Sequence, residues 1–208
     1  MTSDREGRPV AGILLAAGTS SRMGSNKMLF ELEGESVLRR AARRALAAGL
    51  SPLVVVLGHE SERAHREIEG LTCEWALNPL YEQGINSSLK SGVMAVRGFK
   101  AKAAMVMLAD MPFVTTEMIA AMIARYRESR APLVISDYAG VNAPPMVYDQ
   151  SLFLELLTTE GEGCGRQVVK RHKGEAEVLA WPESALADLD VPEDYARVRG
   201  DLGRSGVM

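Results

Sequence analysis

The chain has only two cysteines in 208 residues, Cys73 and Cys164, and neither stands in a C-x-x-C or other metal-binding spacing. That excludes a disulfide framework or a zinc site and predicts a reduced, cytoplasmic setting; neither thiol is assigned a role. Net charge is small, −3, and no basic stretch is interleaved with aromatic residues. A nucleic-acid partner is therefore not expected. No apolar run approaches the ~20 residues of a membrane-spanning helix. The segment from Thr2 to Pro9 is polar and charged, unlike a signal peptide or an anchor. None of the three histidines, His59, His65 and His172, has a serine or cysteine partner at a recognisable spacing, so a hydrolytic triad is unsupported. Two common phosphate loops are also missing. A P-loop has four residues between its glycines and then Lys-Ser/Thr, whereas five residues separate Gly18 from Gly24 and Lys27 is followed by Met28. The dinucleotide fingerprint fails because Ala16 to Ser21 contains a single glycine.

What is present is an ordinary globular composition, 47% hydrophobic and 25% charged, in a length suited to one domain. The pattern alternates strand and helix. Strands are expected at 12–15, 53–57, 73–77, 103–109, 133–136 and 177–180. Residues 146–148 would form a hairpin partner or a sheet-edge strand. Helices are expected at 37–48, 61–69, 86–96, 117–129, 150–157, 166–172 and 193–198. Ser36 and Thr115 or Thr116 are cap candidates, and Met118, Ile119, Met122, Ile123 and Tyr126 form one buried helix face. The continuous β-branched run Leu53–Leu57 suits a strand covered on both faces. Repeated βα units predict a single-domain, three-layer α/β/α sandwich with a mostly parallel, Rossmann-like sheet. Residues 10–200 would form that domain, between short flexible segments at 1–9 and 201–208.

The most informative segment is 12–27. An apolar strand empties into Ala16, Ala17 and Gly18, followed by hydroxyls at Thr19, Ser20 and Ser21 and cations at Arg22 and Lys27. Small residues let a phosphorylated ligand approach the backbone, whose exposed N–H groups favour anions. Arg22 can fork onto phosphate oxygens and Lys27 can bring a mobile charge. A tight βα turn with solvated cations is the bland alternative. Asp110 follows the fourth of the main strands, so the sheet would bring it to the same edge as this loop. Alone, such an aspartate is as readily a turn former; beside a phosphate loop it is a Mg²⁺ ligand candidate. In Asp188-Leu189-Asp190, alternation puts both carboxylates on one side, with Asp190 either a second metal ligand or the cap of the following helix. Asn78, Gly84 and Ser88 mark a third motif, read either as a helix start or as a nucleotide contact.

The string L-A-A-G-x-S-x-R-M-G-x-x-K, residues 15–27, resembles the MobA-like nucleotidyltransferase superfamily, and within it most of all the molybdenum-cofactor cytidylyltransferases. N-P-x-x-x-x-G-x-x-S-S-L at 78–89 and D-x-D-x-P-E-D at 188–194 extend the likeness from about Val10 to Arg197. The resemblance implies a nucleotide-diphospho-sugar-transferase type of sheet and Mg²⁺ as cofactor. It implies transfer of CMP from CTP to a phosphorylated acceptor, molybdopterin, with a molybdenum hydroxylase apoenzyme as a downstream partner. Leu15, Ala16, Ala17, Gly18, Arg22, Lys27, Asn78, Gly84 and Ser88 would bind nucleotide. Arg22, Lys27 and Asp110 would be catalytic, and Asp110 with Asp190 would hold the metal. The chain departs from the family's G-H-P-V with Val141-Asn142-Ala143-Pro144-Pro145-Met146. Asn142 and Pro144 are thus candidates for an acceptor wall. A same-fold transferase using another NTP or acceptor, a nicotinamide-dependent oxidoreductase and a cofactor-delivery protein are the rival readings.

Overall fold

The computed structural model describes residue 7 and residues 9–21, 23–161 and 163–205, with side chains described through residue 201. Strand β1 (Ala11–Ala16) is buried along its whole length. A two-residue pair, β2 (Glu31–Leu32) and β3 (Glu35–Ser36), forms a small separate hairpin that the sequence pattern did not reveal. Helix α1 (Val37–Ala47) starts where Ser36 Oγ accepts the Arg39 N–H at 3.1 Å, and β4 (Leu53–Leu57) is again wholly buried. Then come α2 (Ser61–Ile68), β5 (Glu74–Leu77), α3 (Ile85–Gly98) and β6 (Ala103–Leu108). Helix α4 (Thr116–Glu128) is capped by Thr115 and buries the five residues expected of it, Met118, Ile119, Met122, Ile123 and Tyr126. Strands β7 (Leu133–Tyr138) and β8 (Val141–Asp149), helices α5 (Phe153–Thr158) and α6 (Cys164–His172), strand β9 (Glu177–Trp181) and helix α7 (Pro192–Ser205) complete the chain. Helix α7 carries regular structure beyond residue 200, into the stretch expected to be a tail.

The main sheet has seven strands in the order β5-β4-β1-β6-β8-β7-β9. All run parallel except β8, which is antiparallel to both its neighbours. The hairpin expectation for β8 therefore holds and the edge expectation does not: β8 sits inside the sheet. An interior strand with two prolines is tolerated because Pro144 and Pro145 fall in the register shift. Ile135 pairs with Met146 and Ser136 with Ala143, leaving both prolines out of the ladder. Their carbonyls still accept hydrogen bonds, Pro145 from Ser136 Oγ at 2.7 Å and Pro144 from the Tyr138 hydroxyl at 2.9 Å.

Side chains alternate between two buried clusters, one on each face. Leu14, Val55, Leu57 and Met105 join α1, α2 and α4 on one side. Ile13, Leu15, Val54 and Val56 join α3, α5 and α6 on the other. This is the expected three-layer sandwich. Helix α3 lies so close to β1 that a Cβ at Gly92 would stand 2.3 Å from Ile13 Cγ2. The order of strands reverses direction at β1, whose end adjoins that of β6; Ala109 N–H donates to the Leu15 carbonyl at 3.1 Å. Open α/β sheets bind ligands at such a switch point, beyond the carboxyl ends of the strands.

Candidate active site

The loop after β1 is tied down by its own side chains. Ser20 Oγ accepts the Lys27 N–H at 3.1 Å, and Asn26, buried, accepts the Met28 N–H at 3.1 Å to cap the short 3-10 turn Lys27–Leu29. With His59, Glu60 and Arg63, residues 19–21 and 24–26 line a hollow of about 340 Å³. The small residues before it divide by role. Ala16 and Ala17 are each 3% exposed, and the Ala17 methyl packs into the cluster on the α3 side. Leu15 lines the main cleft, and Gly18 is the first exposed residue of the loop. The Ala17 carbonyl accepts the His59 N–H at 3.3 Å. It also explains Gly58, where a Cβ would lie 2.7 Å from that oxygen and 2.6 Å from Tyr81 Cβ. Arg22 lies outside the described residues.

Lys27 is carried across to the other strand ends. Its Nζ is 2.5 Å from Asp110 Oδ2 and 3.1 Å from Asp190 Oδ1. Asp110 follows β6 as the topology requires. The segment bearing Asp190 is docked onto it through the Leu189 N–H, which donates to the Asp110 carbonyl at 3.1 Å. The cap question at α7 has a definite answer. Asp194 Oδ2 accepts the N–H groups of Asp190 and Val191 at 3.2 and 3.1 Å, so the helix start is served without the Asp190 carboxylate. Burial works against the charge on Lys27, but Asp110 and then Asp190 outweigh it and raise the pKa. The ammonium remains protonated throughout the neutral range.

Asp188 lines the cleft beside this cluster. Burial raises its carboxyl pKa, and the charges of Asp190 and Asp110 raise it further against the pull of Lys27. The folded chain therefore holds the Asp188 proton more tightly than the unfolded chain does. Its contribution to stability is lost as pH rises through the folded-state pKa. Asp188→Asn is expected to raise the melting temperature of the metal-free protein at neutral pH, with the gain fading as pH falls through the carboxylate range. A variant no more stable than the parent at neutral pH would contradict this.

Two carboxylate oxygens already gathered around one cation suit a hard divalent ion, which takes oxygen ligands and often only one or two protein carboxylates beside phosphates. No group of three or more His, Cys, Asp or Glu side chains able to hold a metal occurs among the described residues.

The main cleft has a volume of about 1940 Å³ and runs from Leu15, Val106 and Leu108 past Gly84 to Asn142, Pro144, Trp181 and α6. Gly84, Asn142 and Pro144 thus stand where a ligand could meet them. Asn78 and Ser88 do not line it. Asn78 is 1% exposed; its Nδ2 donates to Ser87 and Ser88 hydroxyls at 2.9 and 3.0 Å, and its Oδ1 accepts the Leu80 N–H. These bonds fold the loop that presents Gly84. Asn142 lies between Asp137, to which its Nδ2 donates, and Lys173, whose Nζ donates to its Oδ1 at 3.0 Å. The sequence reading missed Arg166, Lys170, Lys173 and Trp181 as cleft residues.

A loop of small residues after β1, and a charged lysine between two aspartates beside the end of β6, thus meet at the switch point of the sheet. The model of the MobA-like NTP transferase domain matches residues 12–176. The chain belongs to that family. It is 31% identical to the purine catabolism protein PucB of Bacillus subtilis over 199 residues, 90% of this chain and 95% of that one. It is 26% identical to nicotine blue oxidoreductase of Paenarthrobacter nicotinovorans, over 91% of this chain and 96% of that one. A probable molybdenum cofactor guanylyltransferase of Opitutus terrae is 34% identical over 104 residues, 50% of this chain and 48% of its own. In fold, the chain superposes on Rv0371c of Mycobacterium tuberculosis with a TM-score of 0.82 at 24% identity, covering 93% and 98% of the two chains. A structure of Rv0371c in complex with manganese superposes with a TM-score of 0.76 at 22% identity, covering 92% and 98%.

Proposed function

We propose that the protein transfers CMP from CTP to the terminal phosphate of molybdopterin, releasing pyrophosphate, with Mg²⁺ as cofactor. A phosphate oxygen of the acceptor attacks the α-phosphorus in line; the new P–O bond forms as the bond to the β-phosphate bridging oxygen breaks. The nucleophile is already an anion, so no proton need move. The protein's task is placement and charge neutralisation. The observation that carries the reading is Lys27 held between Asp110 and Asp190 beside the end of β6. Asp110 and Asp190 would hold the metal, which when bound supplies Lewis-acid stabilisation of charge on the α-phosphate. Lys27 and Arg22 would hold the triphosphate and the departing pyrophosphate. The loop from Leu15 to Gly18 and the Gly84 backbone would hold the nucleotide, with Asn78 and Ser88 positioning the latter. Asn142 and Pro144 would border the acceptor. A cytoplasmic setting and a molybdenum hydroxylase apoenzyme as recipient complete the proposal.

The preference for CTP rests on Leu15-Ala16-Ala17-Gly18, the form resembling cytidylyltransferases. With the Ala17 methyl in the core, its effect on the base would come through the course of the backbone. A pyrophosphate-release screen of the four NTPs with molybdopterin is expected to favour CTP over GTP at least tenfold in kcat/KM, about 1.4 kcal/mol. Comparable use of both nucleotides would refute the base assignment. The similarity to nicotine blue oxidoreductase keeps hydride transfer as a second reading. NAD(P)H absorbance in the same mixtures would reveal it.

A further inference from the structure

The cleft is larger than one nucleotide needs, since single small-molecule sites occupy roughly 300–1,000 Å³. Its α6 wall has a chemistry of its own. Arg166 and Lys170 stand four apart on one face of α6, and Lys173, the first residue past its end and still helical in backbone, continues that face. All three line the cleft and are exposed, and Val169 lies buried between them. The other face of α6 is neutralised internally. Arg171 Nε and His172 Nε2 each lie 2.7 Å from a Glu155 carboxylate oxygen. Arg166 and Lys170, by contrast, have no carboxylate within ion-pair distance among the described residues, and the Lys173 ammonium reaches only the neutral Asn142 amide.

This wall is also built rigidly onto the rest of the site. Asn86 Oδ1 accepts the Cys164 N–H at 3.0 Å and its Nδ2 donates to the Gly161 carbonyl at 2.5 Å, bolting the start of α6 to the start of α3 beside Gly84. A Cβ at Gly165 would lie 3.3 Å from Leu89, so the helix is seated close. Between this basic wall and Asp188 the lining is largely apolar and includes Met111, Phe113, Met146 and Trp181, with Glu183 and Asp201 as further acids; Lys27, Asp110 and Asp190 stand beside the cleft and do not line it. The Trp181 indole is fixed by its N–H, which donates to Ser136 Oγ at 2.9 Å.

We infer that Arg166, Lys170 and Lys173 form an anion subsite that holds a second acidic group of the acceptor, remote from the phosphate that receives the nucleotide. The substrate class is then a phosphorylated acceptor with a flat or apolar body and a further acid at its far end; molybdopterin, whose far end is a neutral pterin, lacks that acid, so this subsite favours the reading of a same-fold transferase with another acceptor. This rests on the nucleotidyl-transfer reading for the name acceptor, but the subsite itself is testable without turnover. The probes are pterin-6-carboxylate and its uncharged analogue 6-hydroxymethylpterin, measured by equilibrium dialysis with fluorescence detection. The wild-type protein is expected to bind the carboxylate at least tenfold more tightly. Arg166→Glu/Lys170→Glu, on an exposed face, should abolish that preference, while Arg166→Lys/Lys170→Arg should keep it. Binding of Mg·CTP should be unchanged in both variants, which checks the fold. Equal binding of the two probes to the wild type would overturn the inference, and is also the outcome expected if α6 instead docks an acidic protein surface. A carboxylate preference that survives the Glu double variant would overturn it too. Failure of Mg·CTP to bind the wild type would count against the nucleotidyl-transfer reading and leave the probe result standing.

Discussion

Asp110→Asn is expected to lower kcat by roughly 10²–10³, the scale of losing one group aimed at charge in the transition state. The amide has the same shape but no charge, so Lys27 loses its nearer partner and the candidate metal site loses half its carboxylates. The fold should survive, because the β6 end is held by backbone bonds, Ala109 to Leu15 and Leu189 to Asp110, which the substitution leaves in place. Steady-state rates at saturating Mg²⁺, with circular dichroism and melting as controls, make the test. Near wild-type turnover would remove Asp110 from the machinery.

Lys27→Met should produce two effects of opposite sign. Turnover is expected to fall by a similar factor of about 10²–10³, since the cation that would meet the triphosphate is gone. Affinity for a divalent ion without nucleotide should instead rise at least tenfold, about 1.4 kcal/mol. In the parent, the ammonium sits 2.5 Å and 3.1 Å from the two carboxylates a metal would use and competes for them. Titration with Mn²⁺ followed by electron paramagnetic resonance reads the second effect directly. Unchanged or weaker Mn²⁺ binding would show that Lys27 and the metal do not share Asp110 and Asp190.

The parts of this molecule legible in its sequence are those set by local pattern. The runs that became β1 and β4 were continuous and apolar because both faces are covered. The α4 face was visible from helical spacing alone. Strand β8 reads too short in the sequence, and its place stays open between hairpin partner and sheet edge, because the prolines that interrupt its pattern are accommodated only by a bulge against β7. The β2–β3 hairpin has two residues per strand, too few to show a period. In the site, Lys27, Asp110 and Asp190 could be named singly, but their meeting across 163 residues depends on the strand order. The sequence offers Asp190 as a cap of α7, and only the hydrogen bonds show that the Asp194 carboxylate receives the N–H groups there. Asn78 shows the reverse limit: a polar residue read as a nucleotide contact, whose side-chain hydrogen bonds turn inward to Ser87, Ser88 and Leu80. The basic face of α6 was missed because charges at helical spacing look like a solvated surface until the helix is placed against the cleft.

The central claim is nucleotidyl transfer at the ends of β1 and β6. It is tested most directly by incubating the protein with Mg²⁺, molybdopterin and CTP labelled in turn at the α- and γ-phosphates. The α-label is predicted to appear in the acceptor adduct in equal amount to the γ-label in pyrophosphate, and both should form roughly 10²–10³-fold more slowly with Asp110→Asn. An α-label that stays in free CMP or CTP, or a γ-label found in orthophosphate, would contradict the account.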